Sequence, residues 1–417
     1  MRRSAKVAVL ILLCLEVTLV HAQALKRGQT VANRPRPDYD PLGIPVRSFR
    51  LYPEIAAEVA YDSNVFADKN SEKDDYGYIL APSLVLQSDW TRHSLETGAS
   101  LQSAFYDKYS DEDFTDYDLW LAGGLDLGTS SRFGARVSHA QEHERRTTAN
   151  QQGAEPTVFT SDQATFDYRF APNRFFLKTT LAFENQDWDS VPNFPGQQPP
   201  VINNDDRNRL NTIVKLRTGY KTSPDLGFFA EGRYFDFNYD TSVDRYGNNL
   251  DSDGYDLVAG AEIDLSGVTF GEVFAGYRSI NYADTQAFQT QDGFTFGATL
   301  DWNVTGLTTI GFGAAQRLLG TTVQGSSGIQ SDEFDIRVDH ELLRNLILSL
   351  AFEYNNQDFL NIDRTDDFKR LIFSGQYFLS RRWAIDGGYI YQDRSSDDPN
   401  ANEFSVNQFY LGLKARI

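Results

Sequence analysis

The chain has 417 residues, 58 acidic against 39 basic, giving a formal net charge of −19. That balance excludes the basic surface a nucleic-acid partner requires. Mean hydropathy is −0.45. Past residue 22 no run approaches the roughly 20 apolar residues of a membrane helix, although β-barrel strands escape such a test because they average out in a hydropathy window.

Residues 1–22 read as a secretory signal. Arg2, Arg3 and Lys6 form a basic start, Val7 to Val20 an apolar run interrupted by Glu16, and small residues permit cleavage after Ala22 or Ala24. Its removal takes the charge from −19 to −21 and takes away Cys14 and Met1, the single Cys and Met. Disulfides, thiol chemistry and Cys-based metal sites are then impossible, and no cofactor is indicated. Residues 23–50, rich in Pro and Arg and without periodicity, read as an extended, poorly ordered periplasmic leader.

From residue 51 to residue 417 the chain alternates apolar and polar residues in 18 strand-like segments, with 16 as the alternative count because two segments are ambiguous. Leu119, Leu121, Leu125 and Leu127 oppose Asp118, Trp120, Ala122 and Asp126. Leu210, Val214, Leu216 and Tyr220 oppose Asn211, Lys215, Arg217 and Gly219. Phe294, Phe296, Ala298, Leu300, Trp302 and Val304 oppose Thr295, Gly297, Thr299, Asp301 and Asn303. Successive strand side chains point to opposite faces, so each segment has one apolar face. Residues 226–239 and 268–282 carry aromatics on both parities, which leaves their register open.

The connections sort into two kinds. WTRH (90–93), GTSS (128–131), APNR (171–174), TSPD (222–225), SGVT (266–269), TGLT (305–308), LRN (343–345) and SRR (380–382) read as tight turns. Between them fall long polar stretches such as 67–75, 143–156, 189–206, 240–253 and 392–402. Short turns at one end and long loops at the other are the asymmetry of an outer-membrane barrel. The expected fold is therefore all-β: a closed antiparallel up-and-down transmembrane β-barrel. Its apolar parity faces lipid and its polar parity the lumen.

Aromatics mark two expected belts. Trp90, Phe133, Phe170, Phe175, Trp302 and Trp383 lie near turns, and Tyr61, Phe66, Tyr78, Tyr106, Phe114, Tyr391 and Phe404 near loops. The final segment, 404–417, alternates to the last residue and resembles the C-terminal strand by which barrel assembly machinery recognises outer-membrane proteins. It ends in Ile417 rather than an aromatic.

RPRPDYDPLGIPVRSFRLYPEI (34–55), YDSNVF (61–66) and APSLVLQSDWTRHSLE (81–96) resemble the putative beta-barrel porin 2 family, best over residues 34–150. The resemblance implies an outer-membrane barrel of loosely defined transport function, linked to exopolysaccharide production. It carries no catalytic residues.

The polar parity supplies the candidate pore-lining residues. They are the basic Arg136, Arg169, Lys178, Lys215, Arg217 and Arg233, and the acidic Glu184, Glu231, Glu262, Asp301 and Glu353. The basic set could form a ladder for anions; the acidic set on the same face favours cross-strand ion pairs that narrow the lumen. His139 and His143 have a His-x-x-x-His spacing, but i and i+4 in a strand stand about 13 Å apart, too far for one metal. No catalytic constellation is evident, and an enzyme is not expected. The expectation is a passive outer-membrane channel for polar solutes. The alternative is a non-conducting scaffold whose acidic loops bind partners. Outer-membrane lipid, lipopolysaccharide, polysaccharide and the assembly machinery are the expected partners.

Overall fold

A computed structural model describes residues 28–417; the predicted signal and the first leader residues lie outside the described residues. The barrel strands are β1 (Phe49–Asp62), β2 (Asp75–Ser88), β3 (Ser94–Tyr106), β4 (Phe114–Leu127), β5 (Ser131–His143) and β6 (Val158–Phe170). β7 (Phe175–Trp188), β8 (Arg209–Lys221), β9 (Leu226–Tyr239), β10 (Ser252–Leu265), β11 (Thr269–Tyr282) and β12 (Gln291–Thr305) follow. The series ends with β13 (Thr308–Leu319), β14 (Ile329–Leu343), β15 (Leu346–Phe359), β16 (Thr365–Phe378), β17 (Trp383–Ser396) and β18 (Phe404–Arg416).

Each strand pairs antiparallel with the next, and β18 returns to β1 with Glu54 opposite Arg416 and Asp62 opposite Gln408. The result is a closed barrel of 18 strands, which removes both sheet edges. The YDSNVF stretch seals this seam. The Asp62 carboxylate accepts the Asn64 amide at 2.7 Å and the Gln408 side chain at 2.6 Å. Ser63 and Asn407 exchange hydrogen bonds, and buried Asn64 donates to the Ser405 carbonyl at 3.1 Å. The motif that carried the family resemblance thus continues the first–last ladder beyond the strands themselves.

The exterior is apolar. Leu119, Leu121, Leu216, Phe294, Leu350 and Leu411 stand exposed on the outer wall, and the intervening polar residues point inward. The aromatic belts need correction at one end. Trp90, Phe175, Trp302 and Trp383 are exposed outward near the turns. Near the loops, Phe404 is buried, and Tyr106 and Phe114 line an interior cavity. The outer ring there keeps the expected Tyr78 and adds Phe105, Tyr255, Tyr277, Phe294 and Phe409. A shift of one residue reverses the face, which a count of aromatics near strand ends does not register.

The ambiguous segments have a physical cause. β9 sends Phe228 and Tyr234 outward but Phe229 and Phe235 inward, and β11 sends Tyr277 outward while Ile280 and Tyr282 are buried. Phe235, Ile280, Tyr282 and Phe288, the last from loop 283–290, form an apolar cluster within the barrel. Both faces of these strands are apolar because this part of the interior is packed by protein.

Turns of two to five residues join strands at one end and loops of five to twenty at the other. The β10–β11 turn shows how tightness is achieved: Ser266 and Gly267 adopt φ 57° and 75°, the left-handed pair a short hairpin needs. The leader departs from expectation. Instead of trailing away extended, residues 28–40 enter the turn-end mouth and narrow it by packing against β12–β18. Val31 is fully buried with Ile347, Phe378 and Ala384, beside Tyr39. Its amide donates to Thr309 at 2.9 Å, and Asn303 donates to the Gln29 carbonyl at 2.9 Å. Buried Arg34 and Arg36 converge on Glu341, and Arg416 donates to the Tyr39 carbonyl at 3.0 Å. The sequence reading failed here because the partners of this aperiodic stretch lie some three hundred residues away.

Candidate functional site: the lumen

The lumen is shaped by a strap. Loop 144–157, between β5 and β6, crosses the loop-end mouth to the opposite wall. Asn150 donates to the Gly320 carbonyl at 2.9 Å and accepts from the Thr322 amide at 3.0 Å, while Gln152 donates to the Thr322 hydroxyl at 3.0 Å. Arg394 on β17 donates to the Thr148 carbonyl at 3.4 Å.

At its root the strap is latched by Arg146, whose Nε and Nη2 donate to the buried Glu112 carboxylate at 2.7 and 2.5 Å. The same guanidinium donates to the Gly153 and Ala154 carbonyls. Burial pushes the Glu112 carboxyl above its ordinary value despite the arginine. Neighbouring loops continue the lattice through Arg207 on Glu144 at 2.8 Å and Arg245 on Asp206 at 2.7 Å. Burial works against the charged form of Asp206, but hydrogen bonds from the Arg245 side chain and backbone outweigh it and hold the carboxyl below its usual range.

Among the described residues the lumen holds three larger cavities, with a smaller one of about 140 Å³ between the strap and Arg209. A vestibule of about 740 Å³ lies among β1–β5 and β16–β18, lined by Glu54, Asp62, Asp116, Asp118, Glu142 and other polar groups. On the other side of the strap a recess of about 520 Å³ is lined by Arg209, Arg233, Arg317, Glu184 and aromatic rings of β9. Near the turn end, beside the leader, a third space of about 570 Å³ is bounded by Lys178, Lys221, Glu262, Glu272 and Asp301.

The eleven candidate lining residues all fall on the inward parity, and the structure divides them. Arg217 donates to Glu231 and Glu272 at 2.7 Å each and lies 3.8 Å from Glu262, which also takes Lys178 at 2.7 Å. Arg233 meets Asp256 at 2.8 Å, and Arg370 meets Glu353 at 3.5 Å. These ion pairs follow the cross-strand pairing expected of such a wall. Arg136 is only loosely paired, 3.9 Å from Asp118. Arg169 and Lys215 have no carboxylate within ion-pair distance among the described residues. Glu184 is held by neutral donors: Ser161, Gln163 and Asn211 at 3.0–3.1 Å. Asp301 approaches Gly311 on β13, where an added Cβ would lie 3.2 Å from its carboxylate.

The histidines are scattered. His139 points outward, 2.8 Å from Asp162 and 3.2 Å from the Tyr117 hydroxyl, whereas His143 bends over the rim to Asp116 at 2.9 Å and stacks on Phe114. No group of three or more potential metal ligands clusters among the described residues. Sequence reasoning missed Arg209 and the latch arginines. Arg209 was reachable by extending the β8 alternation one step upstream of Asn211; Arg146 lay in a loop with no period to follow.

A closed antiparallel barrel with an apolar exterior, aromatic belts and a charged lumen defines the class: an outer-membrane β-barrel. The chain belongs to the putative beta-barrel porin 2 family, whose sequence profile matches residues 36–417. No curated protein matches it in sequence. Among solved structures it is similar to the ferric enterobactin receptor of Pseudomonas aeruginosa, with 8% identity, 88% of this chain and 80% of the other covered, and a TM-score of 0.45. It is also similar to OpdL of Pseudomonas aeruginosa, with 11% identity, coverage of 89% and 100%, and a TM-score of 0.44. A loop-deletion mutant of OmpT, an outer membrane protein of Vibrio cholerae, shares 12% identity with coverage of 88% and 99% and a TM-score of 0.40.

Proposed function

We propose that the protein is a narrow outer-membrane channel for passive passage of small polar solutes, acting by selection at its lumen rather than by chemistry. The observation that supports this is the run of polar cavities of about 740, 520 and 570 Å³ inside a wall of 18 strands, a size at which barrels hold water. The strap divides one mouth and the leader narrows the other. The bore therefore suits single small solutes or short fragments better than a thick polymer. The exopolysaccharide link implied by the resemblance is carried in that restricted form, as passage of polysaccharide fragments past amide, carboxylate and aromatic groups. We further propose that strand 404–417 is read by the assembly machinery and that the acidic loops meet lipopolysaccharide.

Conductance of the refolded chain in a planar bilayer tests the channel. Small, discrete steps are expected. A correctly folded barrel that stays silent would refute passage and favour the scaffold reading.

A further inference from the structure

The arginine-lined recess differs from the rest of the lumen in how its charges are met. β8 carries Arg209, Lys215, Arg217 and Lys221 on its inward face and no inward carboxylate. Arg209, at the loop end, has no carboxylate within ion-pair distance among the described residues. Its Nη1 donates to the Tyr239 hydroxyl at 3.0 Å, and its guanidinium lies 5.6 Å from that ring's centre. Arg233 shares Asp256 with Arg278, at 2.8 and 2.7 Å, so two guanidiniums meet one carboxylate. The Nε–H groups of Arg209 and Arg233 are both buried without an acceptor. A buried donor left unmade is costly and calls for an explanation.

The carboxylates nearby are already engaged. Glu184 holds three neutral donors, Glu144 and Asp206 hold Arg207 and Arg245, and Asp244 accepts amides of its own loop. Glu333 pairs with Arg317 at 3.0 Å. The lining of the recess itself carries three guanidiniums, Arg209, Arg233 and Arg317, against the one carboxylate of Glu184, a positive face inside an acidic protein. Beside these donors stand Phe235, Phe237, Ile213 and Leu318. Gly320 completes the shape: a Cβ there would lie 2.3 Å from Arg209 Nη1, so the guanidinium occupies space that only a glycine leaves.

We propose that this recess is a binding site for an organic anion, a solute presenting a carboxylate or similar oxyanion to Arg209 and Arg233 and a small apolar body to the β9 rings. Guanidinium is suited to this because its planar fork matches a carboxylate bidentately. The proposal deepens the channel reading and rests on the lumen admitting solute.

The test is calorimetric titration of the refolded full chain in detergent with benzoate, with benzylamine as the same body of opposite charge and inorganic phosphate as a bare oxyanion. Benzoate binding is expected, weakened at least about tenfold by Arg209→Gln, the loss of one charge-assisted contact. Arg209→Lys is expected to recover part of that loss. Gly320→Ala keeps every charge yet displaces the guanidinium, and should weaken binding with the barrel intact. Arg344→Gln, at an exposed cation of the β14–β15 turn, should leave it unchanged. Absence of benzoate binding, or binding indifferent to both Arg209→Gln and Gly320→Ala, would overturn the proposal. Benzylamine binding that depends on Arg209 would overturn it equally, and phosphate binding as tight as benzoate would overturn the role of the apolar body. Conductance separates the two readings: a silent barrel that binds benzoate through Arg209 refutes only the channel, and a conducting barrel without such binding refutes only the site.

Discussion

Replacing Arg146 by Gln should release the strap while leaving the barrel folded. Arg146 and Glu112 are 8% and 3% exposed, and their two hydrogen bonds are joined by two more from Arg146 to the carbonyls of Gly153 and Ala154, at 2.8 and 2.9 Å. Removing one member of a buried pair costs about 3–5 kcal/mol, because the other is left uncompensated. At about 1.4 kcal/mol per tenfold, the local opening equilibrium should shift roughly 150- to 4,000-fold. The far anchors at Asn150 and Thr322 are neutral hydrogen bonds, each contributing only about 0.5–1.5 kcal/mol, so the charged root is the largest single contact holding the strap. Deuterium exchange read by mass spectrometry would show protection falling by at least about a hundredfold in 144–157. Strand amides should stay protected, and unitary conductance should rise. A loss of protection below about tenfold, under about 1.4 kcal/mol, would refute the idea that this buried pair holds the strap.

Other consequences follow from the same structure. Glu341→Gln leaves Arg34 and Arg36 facing a neutral amide, so deuterium exchange of the leader amides 28–40 should accelerate over the wild type; unchanged protection would show that the leader is held by Val31 and its neighbours instead. The Asp206 carboxyl is depressed below its unfolded value of 3.8. Its contribution is therefore fully present above 3.8 and is lost as pH falls through the lower folded value. Exchange in 240–251 should accelerate only in that acidic window, and Asp206→Asn should abolish the pH dependence. Phe352→Arg puts a charge on the lipid face near mid-strand and should lower stability in vesicles by about 2–4 kcal/mol. By contrast, Asn355→Arg, pointing into the lumen, should stay within about 0.5 kcal/mol; equal effects in urea titrations would contradict the assigned faces.

The wall of this protein was legible in the sequence, its interior was not. Alternation placed all 18 segments where strands form, because the period-two pattern of a strand is local and each face has one solvent. Sorting of turns from loops gave the barrel its two ends for the same reason. Alternation failed on β9 and β11, where Phe235 and Ile280 pack against Phe288 of the β11–β12 loop and the inward face becomes apolar. It also could not tell Arg217, locked by three glutamates, from Arg209 and Lys215, since ion pairing depends on which strands stand side by side.

What the amino-acid sequence determined by itself is the up-and-down barrel, the places of its strands and the inward parity of the candidate lining residues. What only the tertiary structure decided is how that lumen is filled: Val31 seated against Ile347 and Ala384, Asn150 reaching Thr322, and a positive recess inside an acidic protein. Faces follow from chain periodicity, which each strand carries within itself. Occlusion follows from contacts between residues some 170 to 340 positions apart, whose proximity exists only once the barrel has closed, and local charge follows from which strands stand side by side.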